Sequence, residues 1–400
     1  MNLSFLRRIT NSGNVITEID GLRFLAIAMV VFFHLDGFLF SELRFDYKDD
    51  KESYDWLHDI FLRGYFGVEI FFVISAFILA LPFAKYYLGE GKKVSIGSYF
   101  YRRLTRLEPP YIISLLLIVW FQVSIFEKKN FEDFSPSFFY SLFYGHNFFY
   151  NRDIQPLVNN VTWSLEIEIQ FYILAPILFY IFFKKFTNRK VMLILITLFF
   201  SILTKFIKPD FFSLYEYFHF FSLGILVALC YAEKLKISFI DEWNAHWRPD
   251  LVTLVAFLLM MFTDITYLND IHPFTKILLS TAQLFFLFVL FYNVLMQEGY
   301  KIVFSNINIS VMGGMCYSIY LLHNQITMGL GSELTRRNYF NYFILDYFWL
   351  GLLLFIYILM ISFIFYLVLE RPCMDKNWPV KLWKFIQTPF LRLKPSGSPE

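Results

Sequence analysis

Charged residues are scarce in this chain. They make up 17% of its 400 residues, and hydrophobic residues make up 57%, whereas a soluble domain has about 25% charged residues. This composition excludes an ordinary soluble domain and predicts a polytopic protein of the lipid bilayer. The formal net charge is only +2, and no basic block forms a coherent patch outside the loops, so nothing indicates a nucleic-acid partner.

Cysteine is also rare. The three cysteines, Cys230, Cys316 and Cys373, have no paired spacing and no Cys-x-x-Cys motif. This argues against a disulfide framework and against zinc, and no metal site is implied. We also expect no cleavable signal peptide, because the first apolar run carries Arg23 and no small-residue cleavage site. We interpret that run as a retained membrane span.

Long apolar runs, by contrast, are abundant. A window of about 20 apolar residues is needed to cross the hydrocarbon core as a helix, and ten such windows occur without any internal repeat. They predict an all-α integral membrane protein with about ten transmembrane helices. The windows lie near 22–40, 64–82, 109–126, 165–183, 191–207, 211–231, 251–268, 275–296, 310–330 and 346–369.

The distribution of Lys and Arg predicts the orientation, since cytoplasmic loops carry an excess of them. With ten spans and the N-terminus inside, cytoplasmic segments hold 23 of the 35 Lys and Arg residues. We therefore expect a multi-pass protein of the cell inner (cytoplasmic) membrane, with both termini cytoplasmic. Its parts are an N-terminal segment 1–18, a transmembrane domain 19–372 and a basic, Pro-containing tail 373–400. The tail either lies on the inner membrane surface or is disordered.

Two ionisable residues, Arg23 and His34, lie inside the first span. Such a group within a span costs roughly 2.5–3.5 kcal/mol on insertion scales, so we expect it to have a function. Eleven residues of helix rise about 16 Å. The pair therefore extends from near one face of the bilayer to past its midplane, which predicts a site that works across the membrane.

Arginines gather on the predicted cytoplasmic side, where Arg102, Arg103 and Arg106 join Arg23. Arg103 and Arg106 are three residues apart and share one face of a helix. Clustered guanidiniums suit bidentate phosphate contacts. Ordinary positive-inside anchoring, or contact with anionic lipid headgroups, explains the same charges and stays open at this point.

The predicted outer half holds His34, Glu69, Glu166, Glu168 and His323, contributed by four helices. A lone intramembrane His is often only a hydrogen-bonding residue between helices. A set of two imidazoles with carboxylates instead predicts an acid–base site, because a carboxylate can orient or charge an imidazole. Glu166 and Glu168 are two apart and cannot both face that site. The other carboxylate is expected to favour the positive N-terminus of its own helix.

No nucleophile stands out. Ser75 lies about ten residues into the second span and fits the packing of small residues between helices. His219 is in an aromatic run at the start of the sixth span and is a candidate for lining a cavity. The remaining histidines are in loops or near interfaces, and we interpret them as solvated or structural; they are His58, His146, His246 and His272.

Five short motifs are spread over roughly residues 17–372. They are Ile19-Asp-Gly-Leu-Arg-Phe-Leu-Ala-Ile with Arg23 and His34 as Arg-x10-His, Gly67-Val-Glu-Ile-Phe-Phe-Val-Ile-Ser75, Arg103-Leu-Thr-Arg106, Trp163-Ser-Leu with Glu168 and Phe171-Tyr172, and Tyr317-Ser-Ile-Tyr-Leu-Leu-His323. Each alone is weak, but five in order are specific. By these motifs the chain resembles acyltransferase family 3, the multispan membrane O-acyltransferases that modify cell-surface glycans.

The match has departures. Glu69 stands where the family usually has Asp, and Ala76 stands where Gly usually follows the Ser. Glu166 occupies a position that is commonly small or apolar, so we prefer Glu168 as the matched carboxylate. The resemblance implies further site-lining positions at Ser75, Trp163, Ser164, Glu166 and Tyr172.

Members of this family take an acyl group, usually acetyl, from cytoplasmic acyl-CoA and place it on a hydroxyl at the outer face. The resemblance thus implies a transferase with acyl-CoA as co-substrate and no bound cofactor. The acceptor it implies is a cell-surface glycan or a lipid-linked sugar. Some members carry a fused C-terminal esterase-like domain, and because this chain stops after its tail, a separate periplasmic or extracellular transferase partner is a hypothesis.

The resemblance also implies a route for the donor. The phosphates of acyl-CoA would bind Arg103 and Arg106, together with Arg102. Arg23 would hold the phosphate end or the pantetheine arm, which threads the bundle toward His34. A dry, preformed channel would protect the thioester from hydrolysis.

The chemistry is assigned to His34. It acts either as a general base on the acceptor hydroxyl or as a covalent acyl relay, and the sequence leaves both open. Glu168 or Glu69 would orient the imidazole, as the third member of a triad does. His323 would bind the acceptor or position the thioester.

A transporter or flippase of a glycan or lipid-linked precursor is the alternative, because intramembrane His and Glu also form proton relays. Transporters often have related halves with broken helices, and no such repeat is found here. A third hypothesis is that the protein is a catalytically silent scaffold of a glycan-assembly complex.

Overall fold

The computed structural model describes residues 6–9, 16–124, 130–263 and 272–383. All secondary structure within these ranges is helical. The predicted N-terminal segment and tail therefore lie partly outside the described residues, as do residues 264–268 at the end of the seventh predicted span.

The α-helices of the described residues are numbered in chain order, apart from short 3-10 and π turns that adjoin them. The first eight are α1 (Thr17–Glu42), α2 (Asp55–Leu62), α3 (Phe66–Tyr87), α4 (Ile96–Ser124), α5 (Phe131–Leu142), α6 (His146–Phe149), α7 (Trp163–Tyr180) and α8 (Arg189–Phe206). The others are α9 (Leu214–Glu233), α10 (Ser238–Trp247), α11 (Pro249–Phe262), α12 (Pro273–Met296), α13 (Lys301–Phe304), α14 (Ile307–Gly314), α15 (Cys316–Leu334), α16 (Phe343–Phe365) and α17 (Arg371–Cys373).

Seven helical stretches of the described residues are long and apolar enough to cross a membrane. An eighth is added if α10 and α11, bent by 111° at their junction, form one broken span. The integral membrane architecture is therefore as predicted, whereas the number of ten spans is not confirmed. The seven stretches are Thr17–Glu42, Lys51–Tyr87, Ile96–Ser124, Asn160–Lys185, Leu214–Glu233, Pro273–Met296 and Phe343–Cys373.

Two other predicted spans are not among these stretches. The windows at 191–207 and 310–330 do form helices, α8 and, across a break, α14 with α15. Helix α8 carries three basic residues, and α15 carries His323 followed by two amide side chains. Charged and polar groups within a helix oppose insertion in hydrocarbon. Helix α8 therefore differs from the seven by its charge and α15 by its lower apolar content.

Helix α3 lies at the centre of the bundle, between α1 and α9. At Gly67 a Cβ would stand 2.3 Å from the carbonyl oxygen of Ala26 on α1, and at Gly224 one would stand 2.4 Å from the carbonyl oxygen of Val73 on α3. Small residues let helix backbones approach this closely in membranes. The close packing on both sides holds α3, which carries Glu69 and Ser75, between its neighbours.

Helix α7 is drawn onto the same core by aromatic rings. The fully buried Phe221 of α9 stacks on Phe171 of α7, with ring centres 4.3 Å apart, and on Phe72 of α3, at 4.8 Å. Offset-stacked pairs contribute about 0.5–1.5 kcal/mol beyond burial alone. This cluster holds α7 against α3, so that Glu168 and Ser75 can meet.

Helix α15 packs against α1. At Gly331 of α15, a Cβ would stand 2.4 Å from the Phe38 ring of α1, so the absence of a side chain lets the two helices come together. His34 and His323 project from these two helices into the space between them.

Candidate active site

Two cavities adjoin inside the bundle. The first, which we call the arginine cavity, has a volume of about 670 Å³. Its walls come mainly from α1, α3, α4, α7 and α15. The residues selected from the sequence that line it are Arg23, Ser75, Arg102, Arg103, Arg106, Ser164, Glu168 and Tyr172.

The second, which we call the histidine cavity, has a volume of about 560 Å³. His34, Glu69 and Trp163 line it. Val68 and Tyr320 line both cavities, so the two spaces meet at these side chains. A group bound in one cavity can therefore lie close to a group bound in the other.

His34 and His323 form a direct pair. Nε2 of His323 lies 3.2 Å from Nδ1 of His34, and the ring centres are 4.9 Å apart. Nδ1 of His34 also lies 2.9 Å from the carbonyl oxygen of Val30. His323 is fully buried, whereas His34 is half-buried and faces the histidine cavity.

The neighbours of His323 determine where its proton sits. Nδ1 of His323 lies 3.0 Å and 2.9 Å from the carbonyl oxygens of Ile319 and Tyr320. Carbonyl oxygens only accept hydrogen bonds, so this nitrogen carries the hydrogen in the neutral ring and Nε2 is an acceptor. The Nδ1–H of His34 can then donate to Nε2 of His323 or to Val30, which leaves Nε2 of His34 with a lone pair. That is the state a general base requires.

Glu168 was predicted to orient the His34 ring, but it lines the arginine cavity. Its carboxylate accepts hydrogen bonds from the Ser75 hydroxyl and from the Tyr172 hydroxyl, each at 2.6 Å. Tyr172 is four residues along α7 and shares its face with Glu168. This carboxylate is thus engaged in the arginine cavity, and the ring that contacts His34 is His323.

Glu166 points away from both cavities. It is fully buried, and its two oxygens accept the backbone N–H groups of His146 at 3.2 Å and Asn147 at 2.8 Å. It lies in the first turn of its own helix, as predicted, and its hydrogen bonds also stabilise the N-terminus of α6, as negative groups do at helix N-termini. Glu168 is the glutamate that faces the site.

Burial lowers the pKa of His146 in α6 to about 4, so this ring is neutral.

The arginines converge on one cavity. Arg103 stacks over the Tyr99 ring, 4.0 Å from its centre, and lies 5.3 Å from that of Tyr172. Arg23 contacts Asp20 at 3.3 Å. Nε of Arg106 is buried and has no hydrogen-bond partner among the described residues. A guanidinium that has a buried, unmatched donor is suited to an anionic ligand.

Adjacent residues of α7 serve different cavities. Trp163 lines the histidine cavity and stacks on Phe212, with ring centres 4.5 Å apart. The Ser164 hydroxyl lies 2.5 Å from the hydroxyl of Tyr320, which also donates to the carbonyl oxygen of Val161. Tyr320 is thus held in place where the cavities meet, a role the sequence analysis did not assign to it.

Glu370 is a further residue that the sequence analysis did not select for the site. It lines the arginine cavity and accepts hydrogen bonds from the Ser318 hydroxyl at 2.5 Å and backbone N–H at 3.0 Å. The signal in the sequence was its position directly after the last predicted span, 346–369.

The loop histidines differ in their surroundings. His58, interpreted as solvated or structural, contacts the buried Asp36 at 2.6 Å, and Tyr347 donates to the same carboxylate at 2.9 Å. His219, which lies on α9 rather than in a loop, lines the histidine cavity.

Within the described parts of the chain, no group of three or more His, Cys, Asp or Glu could hold a metal ion.

The described helices define a multi-pass membrane protein whose site joins a guanidinium-lined cavity to a histidine pair. Residues 16–367, most of the chain, match the family model described as an acyltransferase domain. The chain therefore belongs to this family, acyltransferase family 3, as its motifs predicted.

Two relatives illustrate the similarity. The chain is 27% identical over 197 residues to peptidoglycan O-acetyltransferase OatA of Listeria monocytogenes, covering 47% of this chain and 28% of that protein. It is 27% identical over 190 residues to O-acetyltransferase OatA of Staphylococcus aureus, covering 45% of this chain and 27% of that protein. The matches thus span little more than a quarter of the length of these relatives. No solved structure gives a significant match.

Proposed function

We propose that this protein is a membrane O-acyltransferase that moves an acyl group, by default acetyl, from acyl-CoA to a hydroxyl of a cell-surface or lipid-linked glycan. The proposal depends mainly on one observation: Val68 and Tyr320 line both cavities, so the two spaces adjoin at these side chains. One cavity offers guanidiniums to a phosphorylated donor, and the other offers an imidazole lone pair to an acceptor hydroxyl. The names of the relatives, O-acetyltransferases, support the same reaction class.

The donor is assigned to the arginine cavity. Arg102, Arg103 and Arg106 would bind the phosphates of acyl-CoA, since planar guanidiniums match phosphate oxygens in pairs. Arg103 is pre-oriented by its stack on Tyr99. Arg23, on α1 below His34, would contact the pantetheine arm as the thioester approaches Tyr320.

The reaction follows from the protonation states. Nε2 of His34 takes the proton of the acceptor hydroxyl as that oxygen attacks the thioester carbonyl carbon. The new C–O bond forms, the C–S bond breaks, and CoA leaves as a thiolate that receives the proton from His34. The hydrogen bond from Nδ1–H of His34 to His323 keeps the ring oriented throughout. The products are the acylated glycan and free CoA, and His34 returns to its neutral form.

The covalent relay keeps the same partners. In that version Nε2 of His34 attacks the thioester carbonyl carbon, the C–S bond breaks and CoA leaves as a thiolate. The glycan hydroxyl then attacks the acyl-imidazole, the C–N bond to His34 breaks, and the hydroxyl proton passes to the thiolate. A separate extracytoplasmic transferase could be the second acceptor. The direction of transfer, from cytoplasmic donor to outer acceptor across the inner membrane, belongs to the proposal in both versions.

The test uses inverted membrane vesicles containing the protein, fed acetyl-CoA labelled on the acetyl group. We expect label on lumenal glycan or on the protein, and its loss in His34→Ala. His246→Ala is the matched control, because His246 is exposed and lines neither cavity. Substantial transfer by His34→Ala would refute the assignment, and absence of transfer by every form with a competent acceptor present would favour the transporter.

A further inference from the structure

The histidine cavity has a charged lining that the proposed chemistry does not use. Its cationic side chains outnumber its carboxylates, four to two. The carboxylates are Glu69 and Glu216, and the cations are Arg152, Lys205, Lys208 and Lys276. With the histidines neutral, the lining carries a net positive charge.

One of these cations is structural. Arg152 contacts Glu216 at 3.0 Å and donates to the carbonyl oxygen of Pro209 at 2.6 Å. Its backbone N–H donates to the carbonyl oxygen of Asp210 at 2.8 Å. These bonds tie the segment before α7 to the segment between α8 and α9. The tie holds Lys208 at the cavity, where it forms no ion pair within the described parts of the chain.

The placement of these cations differs from ordinary membrane anchoring. In the predicted orientation, 12 of the 35 Lys and Arg residues lie on the outer side, where the positive-inside tendency disfavours them. Four of those 12 line this one cavity. Cations collected beside a low-dielectric wall raise the local concentration of an anionic ligand.

The rest of the lining suits a sugar. Trp163, stacked on Phe212 at 4.5 Å and 5.7 Å from the ring centre of Tyr217, provides a flat apolar surface. The amides of Asn160 and Gln283 provide donors and acceptors for hydroxyl groups. An aromatic surface with a few polar groups is the usual composition of a small-molecule site.

We infer that the histidine cavity takes an anionic saccharide, a sugar that carries a carboxylate or a phosphate group, in preference to a neutral one. The lysines would hold the anion while Trp163 packs on the ring and His34 faces the hydroxyl. The inference rests on the proposed function for the role of this cavity, yet it concerns binding alone and can be tested without acyl transfer.

The experiment measures binding to the purified protein in phosphatidylcholine nanodiscs, without acyl-CoA. The probes are two matched pairs, cellobiouronic acid against cellobiose and glucose 1-phosphate against glucose. We expect the charged member of at least one pair to bind about tenfold more tightly than the neutral member. The ratio of the two dissociation constants should approach one as the salt concentration rises, because salt screens the lysines. Preference for the carboxylate or for the phosphate identifies the anionic group.

Variants locate the effect. Lys205→Ala with Lys208→Ala should remove most of the preference for the anion and leave binding of the neutral sugar little changed. Lys92→Ala with Lys236→Ala is the control, since both lysines are exposed and line neither cavity. Equal binding within both pairs, or an unchanged preference in the Lys205 and Lys208 variant, overturns the inference.

The same measurement in His34→Ala separates this inference from the proposed function. If that variant and the wild type both prefer the charged probe but the wild type transfers no acyl group, the proposed function fails and the binding inference stands. If acyl transfer occurs but the protein binds the charged and the neutral probe of each pair equally, the binding inference fails and the proposed function stands.

Discussion

Nε2 of His323 lies 3.2 Å from Nδ1 of His34, across the contact between α15 and α1. In the proposed mechanism the base, His34, is therefore oriented by a second imidazole. A neutral partner stabilises the protonated form of His34 less than a carboxylate would. In the proposed mechanism this favours passing the proton from His34 to the departing thiolate.

The first prediction concerns His323→Ala. It removes one of the two acceptors near Nδ1–H of His34 and leaves the carbonyl oxygen of Val30. Without the second imidazole to orient the ring, kcat should fall by up to about 100-fold, within the usual range for losing effective general-base catalysis. The KM for acyl-CoA should change little. His323→Gln should recover part of the activity, because its amide oxygen can accept the same hydrogen bond. Steady-state kinetics in nanodiscs measures both, and full kcat in His323→Ala would contradict the arrangement.

The second prediction concerns the donor. Arg103→Ala with Arg106→Ala should raise the KM for acyl-CoA by about tenfold or more, since each charged hydrogen bond is worth about 1.5–3 kcal/mol. The KM for the acceptor should be unchanged. Arg336→Ala with Arg337→Ala is the control, because these exposed arginines line neither cavity. An effect on the acceptor alone would argue against phosphate binding here.

The third prediction separates the two glutamates. Glu166→Gln replaces one oxygen by an NH2 group that faces a backbone N–H donor. The free energy of unfolding should fall by about 1–3 kcal/mol, with activity per folded molecule preserved. A thermal melt in detergent, paired with an assay of the surviving fraction, measures both effects.

Glu168→Gln should behave in the opposite way. Its partners, the Ser75 and Tyr172 hydroxyls, can both donate and accept, so the amide can be accommodated. We expect a small change in Tm and at least a tenfold loss of kcat/KM, because the amide lacks the negative charge that interacts with Arg23 and Arg103 at the donor site. If Glu168→Gln retains its activity, the carboxylate contributes packing alone.

The fourth prediction concerns Gly224→Val. A Cβ at this position would stand 2.4 Å from the carbonyl oxygen of Val73, so α9 must move away from α3. Overpacking of this kind costs about 1–3 kcal/mol or more, and the yield of monodisperse protein should fall. Gly97→Val is the control, since nothing lies within 4 Å of a Cβ there. Equal yields would contradict the close packing.

The sequence by itself determined the membrane class, the family and many of the residues that line the two cavities, although not Tyr320 or Glu370. Those properties are local, because an apolar run of sufficient length and a motif such as Arg-x10-His are readable without knowing any neighbour. The placement of all four selected arginines on one cavity also followed from such reading, since positions along a helix set their depth.

Only the tertiary structure decided which of these groups meet. His34 is paired with His323 although 289 positions separate them, Glu168 is bound to Ser75, and Glu166 stabilises α6. Each partner depends on how helices rotate and cross, which is set by close contacts such as those at Gly67 and Gly224. A helical pattern gives the face of a residue, but the neighbouring helix that covers the face is decided by packing between segments far apart in the chain.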